Sequence, residues 1–182
     1  MNGKIIGGKA QNLNILRENK LPVPKYFVIS TNVYKRFIED NNLEKEIKKT
    51  IQNIDFKNKN NVRNNSQKII NLFLKNKIQK KDREKILKIF SKIKTQTKNE
   101  YYAVRSSAIG EDSSKQSFAG QMDSFLFVSN EKDLIQYIKK CWASVYSQRA
   151  LTYRKISKID LSDIYIAVII QEMIFGEKSG VL

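Results

Sequence analysis

The stretch YYAVRSSAIGEDSSKQSFAGQMDSFLFV, residues 101–128, decides the fold of this chain. Its two ends are rich in aromatic and β-branched residues, which predicts strands at Tyr101–Val104 and Phe125–Val128. The segment between them, residues 105–120, is polar, with Ser, Asp and Gly, and predicts a loop. A third strand is expected over Tyr165–Gln171, where a short β-branched run indicates burial.

Helices are expected around these strands. Asn130 can cap a helix with one apolar stripe, which predicts that its cysteine and tryptophan belong to the core rather than to a site. The stripe comprises Leu134, Ile138, Cys141, Trp142 and Val145.

Nearer the N-terminus, the prolines of residues 21–24 end a short helix. Tyr26–Ser30 then predicts a strand, followed by a helix capped by Thr31 or Asn32.

Residues 41–100 carry most of the positive charge. They hold 15 Lys and 2 Arg against 6 acidic residues, within a chain of net charge +16. Apolar residues at helical spacing predict one helix through Ile69–Leu74 and a second that starts near Asp82, and the Asn-rich piece 53–65 predicts a loop. The charge fits either a solvated helical surface or a polyanion-binding site. Sparse aromatic residues and the lack of a nucleic-acid motif favour the solvated surface.

Composition excludes several kinds of chemistry. The chain has no histidine, so it contains no Ser-His-Asp triad, no histidine-ligated zinc and no phosphohistidine. Its single cysteine, Cys141, excludes an internal disulfide and a thiolate metal cluster, and it fits a reducing cytoplasm. No apolar run reaches the length of a membrane span, so we expect no membrane partner. A length of 182 residues suits one domain or two small lobes.

Two short motifs contain a cation that suits a phosphate. Gly7-Gly8-Lys9 precedes a helix, where a glycine pair allows a ligand to approach closely and the helix N-terminus favours anions. An ordinary turn with a solvent-exposed lysine has the same pattern.

Arg105 can hold phosphate oxygens through two parallel hydrogen bonds, aided by the two serines that follow it. Alternatively, it pairs with Glu111 or Asp112 on the surface.

A third motif, Ser117-Phe118-Ala119-Gly120-Gln121, predicts a loop of small residues whose backbone N–H groups can wrap phosphates. Ser124 can add a hydroxyl to it. The alternative is a hairpin turn with Phe118 in the core. Gln171 ends an apolar strand, where its amide can read the edge of a base or can simply mark the end of the strand.

Together these motifs resemble the ATP-binding domain shared by phosphoenolpyruvate synthases, pyruvate phosphate dikinases and rifampicin phosphotransferases. The Arg-Ser-Ser and Ser-Phe-Ala-Gly-Gln motifs, in this order and spacing, are highly specific to it, whereas the basic middle matches in place but not in detail. The matching stretches are Ile6–Ala10, Val23–Phe27, Val104–Ala108, Glu111-Asp112, Ser117–Gln121, Cys141–Ser144, Arg149-Ala150, Tyr153-Arg154, Gln171–Met173 and Ser179–Val181.

The resemblance implies an α+β fold of the ATP-grasp type, with a mostly antiparallel sheet, flanking helices and a basic helical insertion at 41–100. Residues 1–182 would form the N-terminal part of this domain, and ATP with Mg²⁺ would lie between two lobes. By resemblance, Lys9 and Arg105 are the phosphate contacts and the catalytic cations, and Gln171 lies beside the adenine. The other residues expected to bind the nucleotide are Ser106, Gly120, Gln121, Ser124 and Phe125.

The resemblance ends inside the Ser-Gly-Val motif, at Leu182. It implies a longer parent chain in which a later part of the ATP domain supplies acidic magnesium ligands and a swivelling domain carries a phosphorylated histidine. We therefore expect a fragment with no catalysis of its own and weak ATP binding. The parent would pass a phosphoryl group through the histidine to pyruvate or, in the rifampicin branch, to an antibiotic hydroxyl. A nucleic-acid-binding module around 41–100 and a short interaction module are the alternatives of another class.

Overall fold

A computed structural model describes residues 3–109, 112–113, 116–117, 122–161 and 164–177. None of the described helices has the length and apolarity that crossing a bilayer requires. In chain order the elements are α1 Gly3–Glu18, β1 Tyr26–Ile29, α2 Thr31–Asp40, α3 Leu43–Gln52, α4 Lys59–Lys75, α5 Lys80–Thr97, β2 Tyr102–Ala108, β3 Asp112–Ser113, β4 Gln116–Ser117, β5 Ser124–Val128, α6 Glu131–Ala143, a 3₁₀ turn Ser144–Tyr146, α7 Gln148–Ile156 and β6 Ile166–Glu172.

Four strands form one antiparallel sheet in the order β1-β6-β2-β5. The register places Phe27 of β1 opposite Ile170 of β6, and Val104 of β2 opposite both Ile170 and Phe125. Strands β3 and β4 pair with each other in a separate two-stranded hairpin. The expected α+β class, with an antiparallel sheet and flanking helices, is confirmed.

The two faces of the sheet have different neighbours, because side chains alternate along each strand. Tyr102 and Val104 point to one face, where residues from α2 to α7 complete the main core. On the opposite face Ile169 packs against Ile6 and Ala10 of α1 in a second, smaller core. We call this second surface, which also carries the half-exposed side chain of Arg105, the α1 face.

Strand β2 runs through the start of the segment that the sequence predicts as a loop. The predicted end at Val104 is wrong, since β2 continues to Ala108 and pairs with β6 over its whole length. Arg105 is therefore a mid-strand residue, opposite Ser124 of β5 and Ile169 of β6. Polar residues are tolerated here because the ladder to β6 pairs the backbone groups and the two buried serines of the strand have hydrogen-bond partners.

The basic segment 41–100 folds as α3, α4 and α5. Each of these helices contributes apolar side chains to the main core. The lysines of the segment are exposed, apart from the half-buried Lys94. This arrangement agrees with a solvated helical surface, because the charge lies on the outer side of helices whose inner side packs against the protein.

The Asn-rich piece 53–65 is a loop only in its first half, so the loop prediction is wrong for the rest. Helix α4 begins at Lys59, and the Asn58 side chain caps it by accepting hydrogen bonds from the backbone N–H groups of Asn60 and Asn61. Asparagine is a poor helix former. Burial of the inner side of α4 against the core outweighs that preference.

Helix α6 forms as its cap and its apolar stripe predict. The Asn130 side chain accepts a hydrogen bond of 2.9 Å from the backbone N–H of Asp133. Cys141 and Trp142 are fully buried, and the Cys141 thiol lies 3.7 Å from the carbonyl oxygen of Val104 in β2. Their prediction as core residues is confirmed, and α6 is thereby packed against the strand that carries Arg105.

Cys141 should be chemically silent in the folded chain. Burial raises the pKa of its thiol well above the ordinary range, so the reactive thiolate is scarce as well as inaccessible. We expect a water-soluble disulfide reagent to label the native chain at least roughly a hundredfold more slowly than the denatured chain, because labelling requires local opening. An absorbance assay at neutral pH measures both rates. Rapid labelling without denaturant would contradict the packing of α6 on β2.

Candidate functional site

The first element of the site is the start of α1, which is kinked at Gly7. Gly7 has φ 75° and ψ 168°, a conformation that only glycine adopts readily, and a side chain there would overlap the backbone of Ser107 in β2. The Ser107 hydroxyl accepts a hydrogen bond of 3.1 Å from Ala10 N–H and donates one of 2.9 Å to the Ile6 carbonyl. The lack of a side chain at Gly7 does allow a close approach, as expected. Among the described residues, the group that comes close to Gly7 is the backbone of strand β2.

This junction places the start of the helical stretch that follows the kink, which includes Lys9, at the end of β2. Lys9 is half-buried. Burial is the main cause of the raised pKa of the Cys141 thiol, and the nearby Asp123 carboxylate raises it further, whereas the Lys9 ammonium lowers it. Lys9 therefore lies within electrostatic range of Cys141. A helix N-terminus and a lysine each favour a negative charge, so this end of the α1 face suits an anion.

The second element is a pair of polar side chains on neighbouring strands. Arg105 Nη1 donates a hydrogen bond of 2.9 Å to Gln171 Oε1. Gln171 lies opposite Ala103, two residues before Arg105 in β2, so the contact is a diagonal one on a single face. Gln171 is 7% exposed. The structure thus brings together the expected phosphate-binding cation and the expected base-reading amide.

Ser124 belongs to the same surface. It lies directly opposite Arg105 on β5 and is exposed to solvent. Next to it, the Asp123 carboxylate is 3.9 Å from Arg149 Nη2 of α7. Both of these side chains are at least half-exposed, so the pair contributes little to stability. It places Arg149 beside the start of β5.

Two other residues expected at the site point away from Arg105. Ser106 is 1% exposed, and its hydroxyl donates a hydrogen bond of 3.1 Å to the carbonyl of Asp123. Phe125 stacks on Tyr137 of α6, with ring centroids 4.6 Å apart. Both side chains support β2 and β5 from the side of the main core. Gly120 and Gln121, with the rest of the loop 118–121, lie outside the described residues.

An aromatic group at the far end of the α1 face was not among the expected site residues. The ring centroids of Tyr101 and Phe127 are 5.9 Å apart, and Phe175 lies 6.1 Å and 6.2 Å from them. Phe127 has φ 59°, at an irregularity in the β2–β5 register that no sequence pattern reveals. Tyr101 could have been found, because it alternates with Ala103 and Arg105 once β2 is treated as one long strand.

The groups of the α1 face follow one order along β2. The aromatic group lies at the start of the strand and the Arg105–Gln171 pair at its middle. Ser107 lies at its end, beside the kink of α1 that Lys9 follows. Residues 101–107 of an extended strand span about 20 Å. An apolar end, an amide and two cations in this order suit an elongated ligand with an anionic end.

A comparison with protein families identifies the domain. The family model described as pyruvate phosphate dikinase, AMP/ATP-binding domain, matches residues 3–182. The chain belongs to this family. The match confirms the resemblance carried by the short motifs and spans the whole α1 face. It also includes the basic segment 41–100, so the alternative of a separate nucleic-acid-binding module has no support.

Curated relatives of this ATP-binding family align with nearly the whole chain. The probable phosphoenolpyruvate synthase of Methanothermobacter thermautotrophicus is 33% identical over 98% of this chain and 26% of that protein. The rifampicin phosphotransferase of Bacillus subtilis is also 33% identical, over 98% of this chain and 20% of that protein. The phosphoenolpyruvate synthase of Pyrococcus furiosus is 29% identical over 98% and 26%. The chain therefore spans about a fifth to a quarter of the length of these relatives.

Proposed function

We propose that the chain binds ATP on the α1 face, as the N-terminal part of an ATP-grasp nucleotide-binding domain. The order of groups along β2 carries this proposal. The adenine covers the aromatic group, where base–aromatic stacking is favourable, and meets the amide of Gln171. The triphosphate then runs past Arg105 and Ser124 to Lys9, which follows the kink of α1. Gly120 and Gln121 are proposed to cover the triphosphate from the loop before β5.

Each polar group has a distinct chemical task in this arrangement. Arg105 offers a planar fork of donors to phosphate oxygens, Lys9 adds a point charge, and Ser124 adds a hydroxyl. Phosphoryl transfer depends mainly on positioning and on neutralising the charge of the transferred group. Two cations that are held by different elements, β2 and α1, meet both needs without a nucleophile from this chain.

Magnesium is expected with the nucleotide, where it supplies further neutralisation of the phosphate charge. Among the residues that the structure describes, no three Asp, Glu or Cys side chains lie close enough together to hold a metal ion. These residues therefore do not fit a magnesium site made by the protein, and no step of the proposed chemistry passes through one. The expectation of acidic ligands elsewhere in a parent chain stays a prediction.

The proposal for the parent protein is an ATP-dependent phosphotransferase of the dikinase type. The phosphoryl group would pass from ATP to a histidine on another domain and then to pyruvate, as in a phosphoenolpyruvate synthase. That histidine cannot come from this chain, which has none, so we expect no turnover from the chain alone. A rifampicin phosphotransferase is the alternative, since a relative of that name is equally similar. Assaying both acceptors with the parent protein would separate them.

Calorimetric titration of the chain with Mg²⁺-ATP at near-physiological salt tests the binding proposal. We expect Lys9→Ala to weaken binding roughly tenfold, because a positive charge beside a phosphate is lost. Lys45→Ala is the matched control, since it removes the same charge from an exposed position on α3. Equal weakening by the two substitutions, or no binding by the unmodified chain, would contradict the proposal.

A further inference from the structure

Gln171 is held more firmly than the arginine that it contacts. It belongs to β6, which lies between β1 and β2, and it is opposite Tyr26 on one side and Ala103 on the other. Its side chain is 7% exposed, whereas Arg105 is half-exposed at the end of a long flexible stem. A buried amide on a central strand has little freedom left to lose, but an arginine loses much rotamer freedom when it is fixed. The amide therefore orients the guanidinium rather than the reverse.

The contact also fixes which end of the amide faces Arg105. An arginine side chain has donors only, so the atom 2.9 Å from Nη1 must be the oxygen Oε1, and the NH₂ group of Gln171 points elsewhere. The hydrogen bond uses one of the five N–H donors of the guanidinium. If Gln171 only contacted a base, there would be no reason for its oxygen to accept a hydrogen bond from Arg105, the proposed phosphate-binding cation. The hydrogen bond thus links the part of the α1 face that is proposed to contact the adenine with the part that is proposed to contact the phosphates.

We propose that Gln171 is a positioning residue for Arg105, which holds the guanidinium in the orientation that meets the triphosphate. This inference rests on the proposed function, because it assigns Gln171 a part in triphosphate binding that is separate from any contact with the base. Gln171 then contributes to the affinity for a polyphosphate that carries no base at all. Glutamate in its place would form an ion pair with Arg105 and compete with the phosphate for it.

Binding of Mg²⁺-tripolyphosphate to the whole chain, measured by calorimetry, tests the inference, since this probe has no base. We expect Gln171→Leu to weaken binding roughly fivefold, the effect of about one hydrogen bond, and Gln171→Glu to weaken it more. In an Arg105→Ala background, Gln171→Leu should have no further effect, because no guanidinium remains to be positioned. Unchanged tripolyphosphate binding by Gln171→Leu would overturn the inference.

The control for Gln171→Leu is Asn65→Leu, which replaces another buried amide. Asn65 is 6% exposed and donates its hydrogen bonds to Asn61 within α4. Loss of a buried amide there is expected to lower stability without changing the affinity for tripolyphosphate. A similar loss of affinity in both variants would mean that Gln171 acts only through overall stability, and it would also overturn the inference.

A second readout does not depend on any ligand. The side-chain N–H signals of Arg105 in ¹⁵N NMR spectra can be assigned by their loss in Arg105→Ala. We expect them to report an ordered guanidinium in the unmodified chain and in Asn65→Leu, and a motionally averaged one in Gln171→Leu. If the unmodified chain bound neither ATP nor tripolyphosphate, the proposed function would fail. If the Arg105 signals show the same motional averaging in the unmodified chain and in Gln171→Leu, the positioning role itself is overturned.

Discussion

Arg105→Ala should weaken the binding of Mg²⁺-ATP by about 2–3 kcal/mol, the usual effect of losing hydrogen bonds to a charged group. This corresponds to roughly a 30- to 150-fold increase in Kd. Arg105 lies mid-strand with backbone partners on both sides, so its truncation leaves β2 in place. It also leaves the buried oxygen of Gln171 without its donor. Calorimetry measures the loss of affinity, and denaturant unfolding measures any accompanying loss of stability.

A charge-matched control is needed because the chain carries a net charge of +16, and a polyanion will bind weakly to any such surface. Arg83→Ala removes the same charge from an exposed position on α5, a helix whose other side packs in the main core. Equal weakening by Arg83→Ala and Arg105→Ala would reduce the proposed site to a nonspecific charge effect. Arg105→Lys should lie between the unmodified chain and Arg105→Ala, because it keeps the charge but loses the planar fork of donors.

If the parent protein is the proposed phosphotransferase, Arg105→Ala should also lower its turnover. We expect a loss of about 2–4 kcal/mol in the activation barrier, by analogy with the removal of other donors that stabilise a transition state. Unchanged turnover would show that Arg105 does not contact the transferred phosphoryl group. A normal Kd with slow turnover would instead restrict its role to the transition state.

Local sequence patterns were enough to predict most of the helices, although α7 was not among them. The cap at Asn130 and the apolar stripe through Cys141 and Trp142 predicted α6, because helix starts and amphipathic spacing depend on residues close in sequence. The same reasoning placed the lysines of segment 41–100 on a solvated surface. It failed at the Asn-rich start of α4, where packing against the core overrides a weak local preference.

Sheet pairing and the site geometry depend on contacts between distant residues, and local patterns do not contain them. The polar Arg105 and the serines after it predict a loop, yet β6 from the other end of the chain supplies their strand partners. The resemblance proposed Lys9, Arg105, Ser124 and Gln171 as site residues, but it could not show that Ser106 and Phe125, which it also proposed, point to the other face. That division requires the register of β2 and β5.

Gly7→Ala should lower the free energy of unfolding by about 2–6 kcal/mol. The positive φ of Gly7 would strain any other residue by about 1–3 kcal/mol. Overlap of the new methyl group with Ser107 would add about as much, because the nearest atoms belong to backbone and cannot move aside easily. Urea unfolding followed by circular dichroism gives the change. Gly8→Ala is the control, since Gly8 follows the kink in helical conformation and alanine favours a helix.

Gly7→Ala also shows whether Gly7 is needed for the contact between α1 and β2 or for the approach of the phosphates. If Gly7 is required by the junction between α1 and β2, Gly7→Ala will lose stability in the absence of any ligand, and ATP affinity will fall as a consequence because Lys9 moves with α1. If Gly7 were instead kept small for the phosphates, stability would be unchanged and only ATP affinity would fall. The contact with Ser107 predicts the first outcome, so a stable Gly7→Ala chain with weakened ATP binding would refute the junction.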